Sequence, residues 1–101
     1  MPRAPTLSEE EILDGLRRLP GWQRRGERLV KSITFPDFAT AVDFVKAIAP
    51  IADDQNHHPD VAIHWNELTL TLWTHAAGGL TARDLRLAEA IDTLETEHAK
   101  A

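Results

Sequence analysis

The sequence predicts an α+β domain of two layers, a four-stranded antiparallel sheet with three helices on one face. Three observations predict it. Apolar residues recur at helical spacing in three stretches, two pairs of strand-like segments lie between those stretches, and each pair closes through a tight turn. The resulting order is α-β-β-α-β-β-α. A chain of 101 residues makes one ordinary domain, read here as residues 1–101 with residues 1–7 as a flexible leader.

The first helix opens at Ser8. "SEEE" puts Glu11 three residues after Ser8, the spacing of a capping box, and acids in a first turn suit the positive end of the helix dipole. Ile12, Leu13, Leu16 and Leu19 follow at helical spacing until Pro20-Gly21 ends the run. A hairpin comes next, with a short strand over Trp22 to Arg25, a turn at Gly26 and a strand over Leu29 to Phe35.

Pro36-Asp37 opens the second helix, where Phe38, Ala41, Val42, Val45 and Ala49 form a stripe that Phe44, Ile48 and Ile51 widen. An arc that wide buries more than one face, part of it against another subunit. Pro50 removes a backbone donor and crowds the Lys46 carbonyl, so a kink or break is expected near Ala49.

"DVAIHWN" and "ELTLTLWTH" read as the second hairpin, turning near Asn66. Leu68, Leu70 and Leu72 share one face of its second strand, and Thr69, Thr71, Trp73 and His75 share the other. "AAGG" is a glycine-rich loop. Thr81 then starts the last helix, with Asp84 in the reciprocal capping position and Leu87, Ala88, Ile91 and Leu94 as the buried stripe.

Composition narrows the chemistry. Net charge is −5 and the eleven basic residues are scattered, whereas phosphate binding needs a concentrated basic face. Direct contact with nucleic acid is therefore not expected. Without cysteine, histidine and carboxylate are the groups left for catalysis. No segment approaches the roughly 18 apolar residues of a membrane span, and the N-terminus lacks a signal-peptide run. A soluble cytoplasmic protein with no membrane contact is the expectation.

Three of the five histidines fall at element ends: His57 and His58 in "DDQNHHPD", and His75 after the last strand. Two readings stand side by side. In one, the pair tips a solvated loop, His75 bonds the glycine loop and Asp84 only caps its helix. In the other, the three rings share a site. Asp84 also lies one turn before Leu87, Ala88 and Ile91, and a carboxylate at the end of a buried stripe commonly orients an imidazole. His64 and His98 read as solvated. The chain has no H-E-x-x-H, no cysteine and no G-x-S-x-G, so neither a metal site nor a serine nucleophile is expected.

"NHHPD", then "HWN", then "THAAGGLTARDLRLAEAID", with "LPGW" and "FPDFATAVDFV" upstream, resemble the pterin-4a-carbinolamine dehydratases over nearly the whole chain. The resemblance implies the fold described above, assembled as a homodimer or homotetramer. It implies dehydration of 4a-hydroxytetrahydrobiopterin to quinonoid dihydropterin, in tetrahydrobiopterin recycling, with neither metal nor organic cofactor. The implied catalytic residues are His57, His58, His75 and Asp84. Among them His57 and His75 are the acid–base pair, His58 chiefly binds substrate, and Asp84 fixes the imidazole of His75. Asn56, His57, His58, Trp73, Thr74, His75 and Ala76 are implied to line the pterin site, supported by Asp53 and Trp65. Two positions depart from the pattern: Asp53 stands where the family often has glutamate, and Val61 where some relatives carry tryptophan. Two alternative functions are a dimerisation cofactor or coactivator for a transcription factor, and a pterin-binding protein of molybdopterin metabolism.

Overall fold

The computed structural model describes residues 5–100, and the side chains of residues 5–98. Its elements run α1 (Glu9–Leu16), β1 (Gln23–Arg25), β2 (Arg28–Thr34), α2 (Phe38–Gln55), β3 (Asp60–His64), β4 (Glu67–Leu72) and α3 (Ala82–Lys100). The four strands form one antiparallel sheet in the order β1-β2-β4-β3, with the three helices on one face, as the sequence predicts. Of the leader expected to be flexible, residues 1–4 lie outside the described residues. Leu7 is tied down, its N–H donating to the Leu80 carbonyl at 2.9 Å.

The sheet face that meets the helices follows from β4's alternation. Leu68, Leu70 and Leu72 are fully buried, and the register sets Ile33 and Leu29 of β2 directly opposite Leu68 and Leu72. Phe44 and Ile48 of α2, Leu87 and Ile91 of α3, and Ile12 of α1 close the core over them. Phe44 is fully buried, so Phe44→Ala should lower unfolding stability by about 3–5 kcal/mol in chemical denaturation.

Lys31 lies opposite Leu70 on the same face, where its ammonium donates to Asp92 and Glu95 at 2.9 and 2.7 Å. Burial opposes its charge, but the hydrogen bonds to Glu95 and Asp92, with their attraction, hold its pKa above the ordinary lysine value. Asp92 also accepts the indole N–H of Trp22 at 2.8 Å, so one carboxylate ties α3 to β2 and to the residue that leads into β1.

Three local expectations are corrected. First, α2 runs unbroken through Pro50. Pro50 and Lys46 are both exposed, so the carbonyl that loses its donor can bond water, while buried Ile48 and Ala52 anchor the helix on either side. Second, the buried stripe of α2 is Ala41, Phe44, Ile48 and Ala52, whereas Phe38 is half exposed and Ala49 is exposed. Residues expected only to widen the stripe form its centre. Third, α1 ends at Leu16. A tighter turn, with Arg18 and Leu19 donating to Gly15 and Leu16, then carries Leu19 into the core, while Leu13 stays largely exposed.

Candidate active site

Helix α2 ends at Asn56, whose left-handed backbone (φ 50°, ψ 43°) sends its N–H back to the Asp53 carbonyl. Asparagine is one of the few residues other than glycine that enters this region readily. The reversal redirects the chain, and the two following histidines diverge. His57 is buried with its N–H bonded to the Ala52 carbonyl, and His58 is exposed. Pro59 then leads into β3.

Beneath His57 lies Asp84, fully buried in the first turn of α3. Its Oδ1 is 2.6 Å from His57 Nε2. Its Oδ2 accepts the Thr74 hydroxyl at 2.8 Å and the Thr81 N–H at 3.0 Å. The hydroxyls of Thr74 and Thr81 are 2.8 Å apart, and Thr81 Oγ1 accepts the Arg83 N–H. Each hydroxyl has one proton, so the directions are set. Arg83 N–H donates to Thr81, Thr81 to Thr74, and Thr74 to the carboxylate. With Asp84 ionised, His57 carries its hydrogen on Nε2, and Nδ1 is the ring nitrogen left for the cleft.

The expectation that Asp84 fixes His75 is thus overturned: it holds His57. Alternation explains it. Thr74 turns inward to the carboxylate, so its neighbour His75 points outward and is exposed. The His75 ring instead lies against the Trp73 indole, centroids 3.6 Å apart. His58 Nε2 reaches the Asp53 carboxylate at 2.9 Å, so aspartate's shorter arm suffices there, through an exposed pair.

His57, His58, Trp73, Thr74 and His75 border one cleft of about 350 Å³. Of the residues singled out in the sequence, Asn56, His57, His58, Trp73, Thr74, His75 and Ala76 line it. Trp65 does not. It sits at the tip of the β3–β4 turn, 67% exposed, with φ at 57°. Val61 is likewise absent from the cleft wall.

Pro59, Asp60 and Arg83 also line the cleft, and sequence reasoning missed them. Arg83 donates to the Asn56 carbonyl, clamping the left-handed junction from the side of α3. Asp60 accepts the Trp73 indole N–H at 3.0 Å. Asp60 was readable from strand register, because its partner Thr71 is two residues before Trp73. Arg83 offered only its place beside Asp84. Among the described residues, no group of three or more His, Asp or Glu could hold a metal ion, and no helix is long and apolar enough to cross a membrane.

The family described as Pterin 4 alpha carbinolamine dehydratase matches residues 5–94. A relative from Sulfurisphaera tokodaii, provisionally named pterin-4-alpha-carbinolamine dehydratase, is 46% identical over 90 residues, spanning 89% of this chain and 97% of its own. One from Mycolicibacterium smegmatis under the same provisional name is 41% identical over 88 residues, spanning 87% and 94%. Among solved structures, the transcriptional coactivator/pterin dehydratase from Brucella melitensis superposes with a TM-score of 0.85 at 34% identity, covering 89% of this chain and 98% of that one. A pterin dehydratase-like RuBisCO assembly factor of the alpha-carboxysome shares the fold alone, at a TM-score of 0.57 and 22% identity, covering 72% and 84%. Matched over residues 5–94 and at 46% identity over 90 residues, the chain belongs to the pterin-4-alpha-carbinolamine dehydratase family.

Proposed function

We propose that this protein dehydrates a 4a-hydroxytetrahydropterin to the quinonoid dihydropterin, acting as a hydro-lyase in the recycling of a tetrahydropterin such as tetrahydrobiopterin. One observation carries the reading. Imidazoles from two distant segments, His57 and His75, border the same cleft, and one is backed by a buried carboxylate while the other is open to solvent.

The chemistry needs two proton movements. The C4a–O bond breaks as the departing oxygen gains a proton, and the N5 proton leaves as the C4a=N5 double bond forms. Atoms balance with one water released. Imidazole titrates near neutrality and serves in either direction. His57 presents Nδ1 as the base for the N5 proton, and Asp84 stabilises the imidazolium that results. His75 is the acid, and its exposure lets it recover a proton from solvent after each turnover. His58, with Asp53, binds substrate at the rim. No step calls on a metal or an organic cofactor.

The half-exposed Phe38 and the apolar rim of α2 favour self-association as a dimer or tetramer. The same rim favours a second reading, a protein-binding role beside catalysis, since the Brucella melitensis neighbour is named a coactivator as well as a dehydratase. A pull-down that recovers only copies of this chain counts against that role. The dehydratase reading is tested by following decay of 4a-hydroxytetrahydropterin in absorbance. Decay accelerated in proportion to enzyme is expected, and decay at the uncatalysed rate sinks the assignment.

A further inference from the structure

The two imidazoles are held by unlike devices. His57 is fixed by a short hydrogen bond to a buried carboxylate. Among the described residues no hydrogen bond holds the His75 ring, and its close neighbour is the Trp73 indole, tilted 38° to it with centroids 3.6 Å apart. Trp73 is itself anchored from two strands. One step past the Leu29–Leu72 pairing lies Arg28, whose guanidinium carbon is 4.4 Å from the indole centroid. On the other side, Asp60 of β3 accepts the indole N–H. Arg28 at the start of β2, Trp73 one residue past β4 and Asp60 at the start of β3 thus lie side by side on the sheet face away from the helices, with His75 against the indole in their middle.

We propose that Trp73 is the positioning residue for His75, an aromatic shelf locked by Asp60 and Arg28 that orients the ring without engaging its nitrogens. This rests on His75 being the acid of the dehydration. An acid that must both reach substrate oxygen and recover its proton from water does so most freely with Nδ1 and Nε2 both unoccupied. A carboxylate partner would take one of them, while an indole face restricts the ring's rotation and takes neither.

The proposal is tested on Trp73→Ala, Trp73→Phe, His75→Ala and the double variant, by kcat and KM and by the chemical shifts of the His75 ring protons. Trp73→Ala is expected to lower kcat about 10- to 100-fold with KM nearly unchanged, because misplacement of a reacting group costs rate rather than binding. Trp73→Phe keeps an aryl face but loses the N–H that Asp60 accepts, and is expected between the two, about three- to tenfold below wild type in kcat. The double variant is expected to be no slower than His75→Ala, since Trp73 acts through His75. Upfield ring-current shifts of the His75 protons are expected in the native protein and lost in Trp73→Ala. A raised KM at full kcat would make Trp73 a substrate platform and overturn the proposal, as would losses that multiply in the double variant. Should Trp73→Ala not fold, Asp60→Asn, which weakens the indole's anchor, is expected to lower kcat about threefold or more with KM held, and full activity there overturns the shelf. The ring-current shifts are read without turnover. If the native protein shows those shifts but no dehydration, the dehydratase reading fails while the contact stands, and unshifted His75 protons sink the shelf alone.

Discussion

His57→Ala and His75→Ala each lower kcat for dehydration by about 10²- to 10⁴-fold, the usual contribution of a positioned acid or base. The two losses differ in kind. His75 is exposed at the cleft, so added imidazole can occupy its place and restore part of the rate. His57 is buried on Asp84, so the same addition restores less. His58→Ala raises KM more than it lowers kcat, because His58 stands at the rim on an exposed pair. Stopped-flow kinetics with and without imidazole separates the three. Undiminished turnover in both alanine variants at 57 and 75 removes the acid–base roles altogether.

Asp84 yields the second large effect, and two substitutions divide it. Asp84→Ala leaves the Thr74 hydroxyl, the Thr81 N–H and the His57 ring without their shared acceptor in a fully buried place. Breaking such a buried network costs about 3–5 kcal/mol. In a domain of this size that is a fall in Tm on the order of 15 °C or more by thermal denaturation. Asp84→Asn keeps the shape and changes the chemistry. Its amide oxygen must face Thr74 and Thr81, which both donate, so its NH₂ faces His57 Nε2. His57 must then accept there and carry its hydrogen on Nδ1, toward the cleft, where it cannot act as the base. A folded Asp84→Asn protein with kcat reduced about 10²-fold or more is the expected result. Wild-type kcat in that variant would show that the tautomer of His57 is irrelevant.

Much of this was legible in the chain. Leu68, Leu70 and Leu72 announce a half-buried strand because a period of two admits no other face. Ser8 with Glu11 announces a helix start, and both capping bonds form. The histidines at element ends announce a site, since ends are where side chains converge without burying backbone. What spacing could not supply was rotation about axes. Whether Asp84 meets His57 or His75 depends on how α3 is turned beneath the α2–β3 junction. That turn is fixed by distant packing of Leu87 and Ile91 against the sheet. The stripe of α2 failed for the same reason. Eight apolar residues define an arc, and only the sheet's position selects its centre. Pro50 was read by its local cost alone, and the anchoring of Ile48 and Ala52 outweighed it.

The carboxylate of Asp84 serves two masters with its two oxygens, one closing the first turn of α3 and the other steering an imidazole. Truncating that side chain therefore disturbs architecture and reactivity together, and only an isostere such as the amide of Asp84→Asn parts them. A scaffold into which this site is transplanted must import the opening of the last helix along with the three rings, because the base has no bearing of its own without it.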